Sequence, residues 1–67
     1  MTKQECYHEA VQLNAEYNAC VTKDCKIIDS DSFMKVITKI HTLTDTVKEL
    51  YGKDEEGWIL TTATRKQ

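Results

Sequence analysis

Phe33-Met34-Lys35-Val36-Ile37-Thr38-Lys39-Ile40-His41-Thr42-Leu43-Thr44-Asp45-Thr46-Val47-Lys48-Glu49-Leu50-Tyr51 is the stretch whose reading decides the fold class. Phe33, Val36, Ile40, Leu43, Val47 and Leu50 follow one another in steps of three and four, and Ile37 and Tyr51 widen the stripe. Such spacing places them on one face of an α-helix. Written as heptads, Phe33, Ile40 and Val47 share one position, and Val36, Leu43 and Leu50 share the other. Mostly β-branched residues against leucine suit two-stranded helix pairing, although the run is too short for a free-standing coiled coil. Gly52 follows as a helix stop. Upstream, Asp29, Ser30, Asp31 and Ser32 compete to cap the helix, and Ile27 and Ile28 stand where a staple-like contact with it would form.

Toward the N-terminus, Thr2-Lys3-Gln4-Glu5 has the form of a capping box. Cys6, Ala10, Leu13, Tyr17 and Cys20 then recur on one helical face, which predicts a helix over about residues 3–22. Its stripe is thin, because alanine and cysteine bury little surface. Residues 23–32 break the pattern and form the connection. Toward the C-terminus, Lys53-Asp54-Glu55-Glu56-Gly57 is a charged turn. Trp58-Ile59-Leu60-Thr61-Thr62-Ala63-Thr64 is rich in aromatic and β-branched residues, which suit a strand. A lone strand must find a partner, and Lys26–Ile28 is one candidate. A short third helix seating Trp58 on the hairpin is the alternative. Arg65-Lys66-Gln67 are expected to fray.

The expected architecture is therefore mainly α. Residues 1–52 form an antiparallel two-helix hairpin, residues 53–67 a turn with a β-like or helical tail, and residues 1–67 one small domain. A chain of 67 residues buries only about 60% of its unfolded surface, and proteins of this size commonly add disulfides, a metal or a second subunit. Cys6, Cys20 and Cys25 are an odd number, and Met1 leads straight into Thr2-Lys3-Gln4-Glu5 with no apolar leader. Both point to free thiols in a reducing cytoplasm. No apolar run approaches the length of a membrane span. Self-association through Phe33, Val36, Ile40, Leu43, Val47 and Leu50 is then the expected remedy. Two hairpins pairing as a homodimer would give a four-helix bundle.

Eleven acidic and nine basic side chains leave a net charge of −2, which excludes a strongly basic nucleic-acid tail and a strongly acidic mimic of one. With no proline and two glycines, few loops of special geometry are available for a catalytic site. Glu5-x-x-His8 has the spacing of carboxylate-bridged di-metal bundles, with Asp45 and Glu49 expected at the same end. His8, however, points away from the apolar face. Cys20-x4-Cys25 lacks the second close pair of a structural zinc site, so buried free thiols are expected. Asp29-Ser30-Asp31-Ser32 begins like a calcium loop but continues with Phe33 and Met34 where a ligand and a glycine are required. No cofactor and no metal are expected.

Lys23, Lys26, Lys35 and Lys39 gather near the hairpin turn, but Asp24, Asp29 and Asp31 sit among them and Arg65 is the lone arginine. Arginine carries most direct base readout, so nucleic acid is a second reading and a metal-binding protein a third. Thr38, Thr42 and Thr46 recur at four-residue spacing beside Lys35 and Lys39, a face kept for contact rather than helix propensity. Trp58, beside Ile59 and Leu60, either caps the core or anchors a partner. The function expected is that of a non-enzymatic interaction protein acting as adaptor, inhibitor or regulatory subunit by binding a partner protein. Small accessory or phage-encoded regulators have this character. Trp58, Ile59 and Leu60 are the first-choice contact residues, with Thr38, Thr42 and Lys39 second.

Overall fold

The computed structural model describes residues 2–66, and among them the chain is mainly helical, with three α-helices packed on one another and no strand. These are α1 (Lys3–Cys20), α2 (Ser30–Tyr51) and α3 (Glu56–Ala63), the last preceded by a single 3-10 turn at Lys53–Glu55. The Thr2–Glu5 capping box forms: the Thr2 N–H donates to Glu5 Oε1 at 2.9 Å and the Glu5 N–H to Thr2 Oγ1 at 3.1 Å. Of the four candidate caps for α2, Asp29 takes the position, its Oδ1 accepting from the N–H groups of Asp31 and Ser32. Gly52 ends α2 with φ of 104°, a backbone conformation that L side chains rarely adopt.

The core draws on all three helices. Cys6, Ala10, Leu13 and Cys20 come from α1, Val36, Ile40, Leu43 and Val47 from α2, and Ile59 and Ala63 from α3, with Val21 closing the end. Tyr17, Phe33, Ile37, Tyr51 and Trp58 pack around it, half-buried. The thin stripe of α1 is used as close-approach surface: Cys6, Ala10 and Ala63 are completely enclosed. Contacts step along α1 and α2 in opposite senses. Lys3 lies over the Tyr51 ring, Glu16 pairs with Lys39, and the Cys20 carbonyl accepts from the Ile28 N–H.

Four expectations meet the structure. Of the two forms left open for the tail, strand or third helix, the helix is the one found. Ile59 and Ala63 are buried while Thr61, which would share their face in a strand, is exposed, and the Thr62 and Thr64 hydroxyls donate to the carbonyls of Trp58 and Leu60 one turn back. Gly57 thus lies inside α3 rather than in the charged turn. Second, the stripe of α2 is covered within one chain. Val36, Ile40, Leu43 and Val47 are buried in the core that α2 shares with α1 and α3, Phe33 is half-buried, and Leu50 at the end of the rhythm is 51% exposed. Third, Arg65 and Lys66 are held. Asn14 Nδ2 donates to the carbonyls of Ala63 and Arg65 at 3.1 and 2.7 Å, and Asn18 Nδ2 reaches Arg65 O at 2.9 Å. Lys66 Nζ donates to Thr22 O and sits over the Tyr17 ring. Gln67, also expected to fray, lies outside the described residues. Fourth, Ile27 and Ile28 are exposed and make no buried staple.

The connection is instead closed by backbone. Val21 and Ile27 form an isolated antiparallel bridge, the Thr22 N–H donates to Lys26 O, and the Cys25 N–H donates to Thr22 O. Cys25 occupies the left-handed position of this three-residue turn at φ 65°, where glycine or asparagine is usual. α1 accordingly ends at Cys20 rather than near residue 22.

Candidate functional site

α3 covers one side of the α1–α2 pair, and the other side carries a groove of about 300 Å3 lined by Glu9 and Leu13 from α1 and by Thr38, Lys39, Thr42, Leu43 and Thr46 from α2. Two further depressions adjoin it, sharing Lys39. One is lined by Met34, Lys35, Thr38 and Lys39; the other continues past Glu16, Ala19 and Cys20 to Lys35, Ser32 and Asp29. From Met34 to Thr46 the strip follows α2 for about 18 Å, at 1.5 Å per residue.

Its chemistry comes from the threonine row. The hydroxyls of Thr38, Thr42 and Thr46 each donate to the carbonyl four residues back, at 2.9, 3.0 and 2.9 Å. Each hydroxyl proton is used inside the helix, which leaves the γ-methyl as the group offered to the surface. Leu13 and Leu43, both 5% exposed, show their last accessible atoms in this groove, and Met34 borders it at 61% exposure. α1 contributes Glu9 and Glu16 to the strip, and α2 contributes Lys35 and Lys39 beside the threonine row. Across the groove Lys39 Nζ meets Glu16 Oε1 at 3.3 Å, both side chains about half exposed.

The sequence-selected residues fall into two groups. Thr38, Thr42 and Lys39 come together here, as one continuous wall. Trp58, Ile59 and Leu60 do not form one surface: Ile59 is fully buried and Leu60 is 41% exposed. Trp58 is engaged within the chain, its indole N–H donating to Glu55 Oε2 at 2.6 Å and its ring stacked on Tyr7 at 6.5 Å. The Trp58 hydrogen bond, seconded by Lys3, holds the Glu55 carboxyl below its ordinary range. Cap hydrogen bonds from Thr2 and from Ser32 do the same for Glu5 and Asp29, respectively.

Lys23 and Lys26 sit on the connecting turn, and Lys39 on α2 pairs with Glu16. Cys6 and Cys20 are buried thiols as expected, but Cys25 is exposed. Among the described residues, no group of three or more His, Cys, Asp or Glu side chains is placed to hold a metal ion, and no helix is long and apolar enough to cross a membrane. The α1 side of the groove was not foreseen, because the register of Glu9, Leu13 and Glu16 against α2 is written in neither helix alone. Asn14 and Asn18 were likewise missed as the residues that hold the end of α3. No known protein family, curated protein or solved structure matches the chain.

Proposed function

We propose that the chain is a non-enzymatic protein-interaction module: an antiparallel α1–α2 hairpin, braced on one side by α3, that receives a helix of another protein in its α1–α2 groove. It acts as an adaptor, inhibitor or regulatory subunit by occupying that partner's surface. The observation that carries this reading is the open strip of threonine methyls over Leu13 and Leu43. A helix laid between two helices buries a row of its own apolar residues, and a groove lined by methyls with charged residues beside them suits that mode. The row is made of threonine, a mediocre helix former, where alanine or glutamate would favour the helix more. The free thiols of Cys6, Cys20 and Cys25 support a cytoplasmic setting for the module.

The test is a selection of amphipathic helical peptides displayed against the purified chain, followed by binding to two variants. Thr42→Arg fills the groove and is expected to abolish binding with helicity unchanged, whereas Leu60→Glu on α3 is expected to leave it intact. Binding that survives Thr42→Arg and falls with Leu60→Glu moves the contact to α3 and overturns the reading.

A further inference from the structure

We infer that α3 is an exchangeable element: two copies of the chain trade their α3 helices, and Gly52 is the hinge that governs the trade. The exchange takes place on the closed side of the α1–α2 pair and is independent of the groove. Every residue from 30 to 63 lies in α2, in the 3-10 turn or in α3, except Gly52. Its φ of 104° and ψ of 165° fall in a region essentially reserved for glycine. A Cβ added there would meet nothing within 4 Å, so backbone conformation rather than crowding is what requires glycine. Glu55 and Glu56 already stand near helical dihedrals, with φ and ψ of −88° and −11° and of −70° and −29°. Turning Gly52 to helical values therefore joins α2 to α3, with small adjustments in the 3-10 turn. The connection holds no proline to oppose this, and Glu49 and Lys53 become an i,i+4 pair in the favourable order.

The joined helix is about 50 Å long at 1.5 Å per residue. The longest dimension of the closed chain is 33 Å. Opening thus carries Ile59 and Ala63 out of reach of their own seat, where both are completely enclosed as α3 packs on α1 and α2. A chain this short has little stability to lose, and the element that fits the vacated seat is the α3 of a second copy. The contacts that hold the closed α3 are all remade between copies. Trp58 stacks on Tyr7, Asn14 donates to the carbonyls of Ala63 and Arg65, Asn18 to Arg65 O, and Lys66 to Thr22 O. Monomer and exchanged dimer then differ in the hinge and in little else, so one residue sets their balance. Short connections favour such exchange and longer ones favour the closed chain. The cost of association keeps the monomer dominant in dilute solution.

The test is size-exclusion chromatography with light scattering on the wild type, on Gly52→Ala and on a chain with glycines inserted after Gly52, each incubated concentrated. The wild type is expected to be mainly monomer, with a dimer that grows with concentration. Gly52→Ala is expected to strengthen the dimer roughly a hundredfold, because about tenfold of backbone strain is relieved at each of two hinges. The lengthened chain is expected to stay a folded monomer. In dimer made from a mixture of isotope-labelled and unlabelled chains, filtered NOEs are expected between Trp58 of one copy and Tyr7 of the other. A dimer that lacks those cross-copy contacts overturns the exchange, as does Gly52→Ala remaining a folded monomer at every concentration. Should Gly52→Ala fail to fold, the other two chains decide. A wild-type dimer that shows the cross-copy contacts and is abolished by lengthening upholds the exchange; a wild type with no dimer, or a dimer indifferent to lengthening, overturns it.

Discussion

The two sides of the α1–α2 pair are finished differently. On one side α3 lies across the helices, burying Ile59 and Ala63 and seating Trp58 against Tyr7 and Glu55. On the other, Thr38, Thr42 and Thr46 hold their hydroxyls to their own helix and leave a methyl-lined groove open. Both sides border the same core residues, since Leu13 and Leu43 belong to the core and also line the groove. The closed side accounts for stability, and the open side is the one we propose for recognition. Substitutions should separate the two.

The largest effect is expected at Ile59→Asp. It places an unpaired carboxyl where the side chain is wholly enclosed, and a chain this short has little stability to lose. Loss of the helical signal in circular dichroism at neutral pH checks it, and a folded variant would remove α3 from the core. Next is Asn14→Ala. It strips the donor from two carbonyls at the end of α3, and about 1–3 kcal/mol should be lost in urea unfolding. Acid should act in the same direction by a different route. The carboxyls of Glu5, Asp29 and Glu55 titrate lower in the folded chain than in the unfolded one. Their stabilisation is therefore complete above the ordinary carboxylate range and is lost as pH falls through the depressed folded values. A melting temperature that stays level or rises across that acid range would contradict the assignment. Cys25→Asn relieves a left-handed residue and should raise stability by up to about 1 kcal/mol. Smallest is Thr42→Arg on the open side, within about 0.5 kcal/mol of the wild type, although it is expected to abolish peptide binding.

The same contrast explains what could be read beforehand. The stripe of α2 was legible because six apolar residues hold one face without interruption, and its caps at Asp29 and Gly52 are local chemistry. What covers that stripe was not legible. Ile59, Thr61, Thr62 and Thr64 have the composition of a strand, and it is burial of Ile59 and Ala63 with Thr61 left exposed that marks a helix. With the tail undecided between strand and helix, the stripe exceeds what α1 can cover, which is why self-association is expected through Phe33, Val36, Ile40, Leu43, Val47 and Leu50. Asn14 and Asn18 read as ordinary polar positions, since their partners lie at the far end of the sequence. On the open side the four-residue spacing of Thr38, Thr42 and Thr46 was visible in advance, because it belongs to one helix. The facing Glu9, Leu13 and Glu16 depend on helix register and were not.

The most direct test of the central claim compares threonines on the two sides in one spectrum. Methyl NMR of threonine-labelled protein, recorded as a selected helical peptide is added, reports Thr38, Thr42 and Thr46 in the groove beside Thr61, Thr62 and Thr64 on or just after α3. The account predicts peptide-dependent shifts confined to the first three. Shifts confined to the α3 set would contradict it.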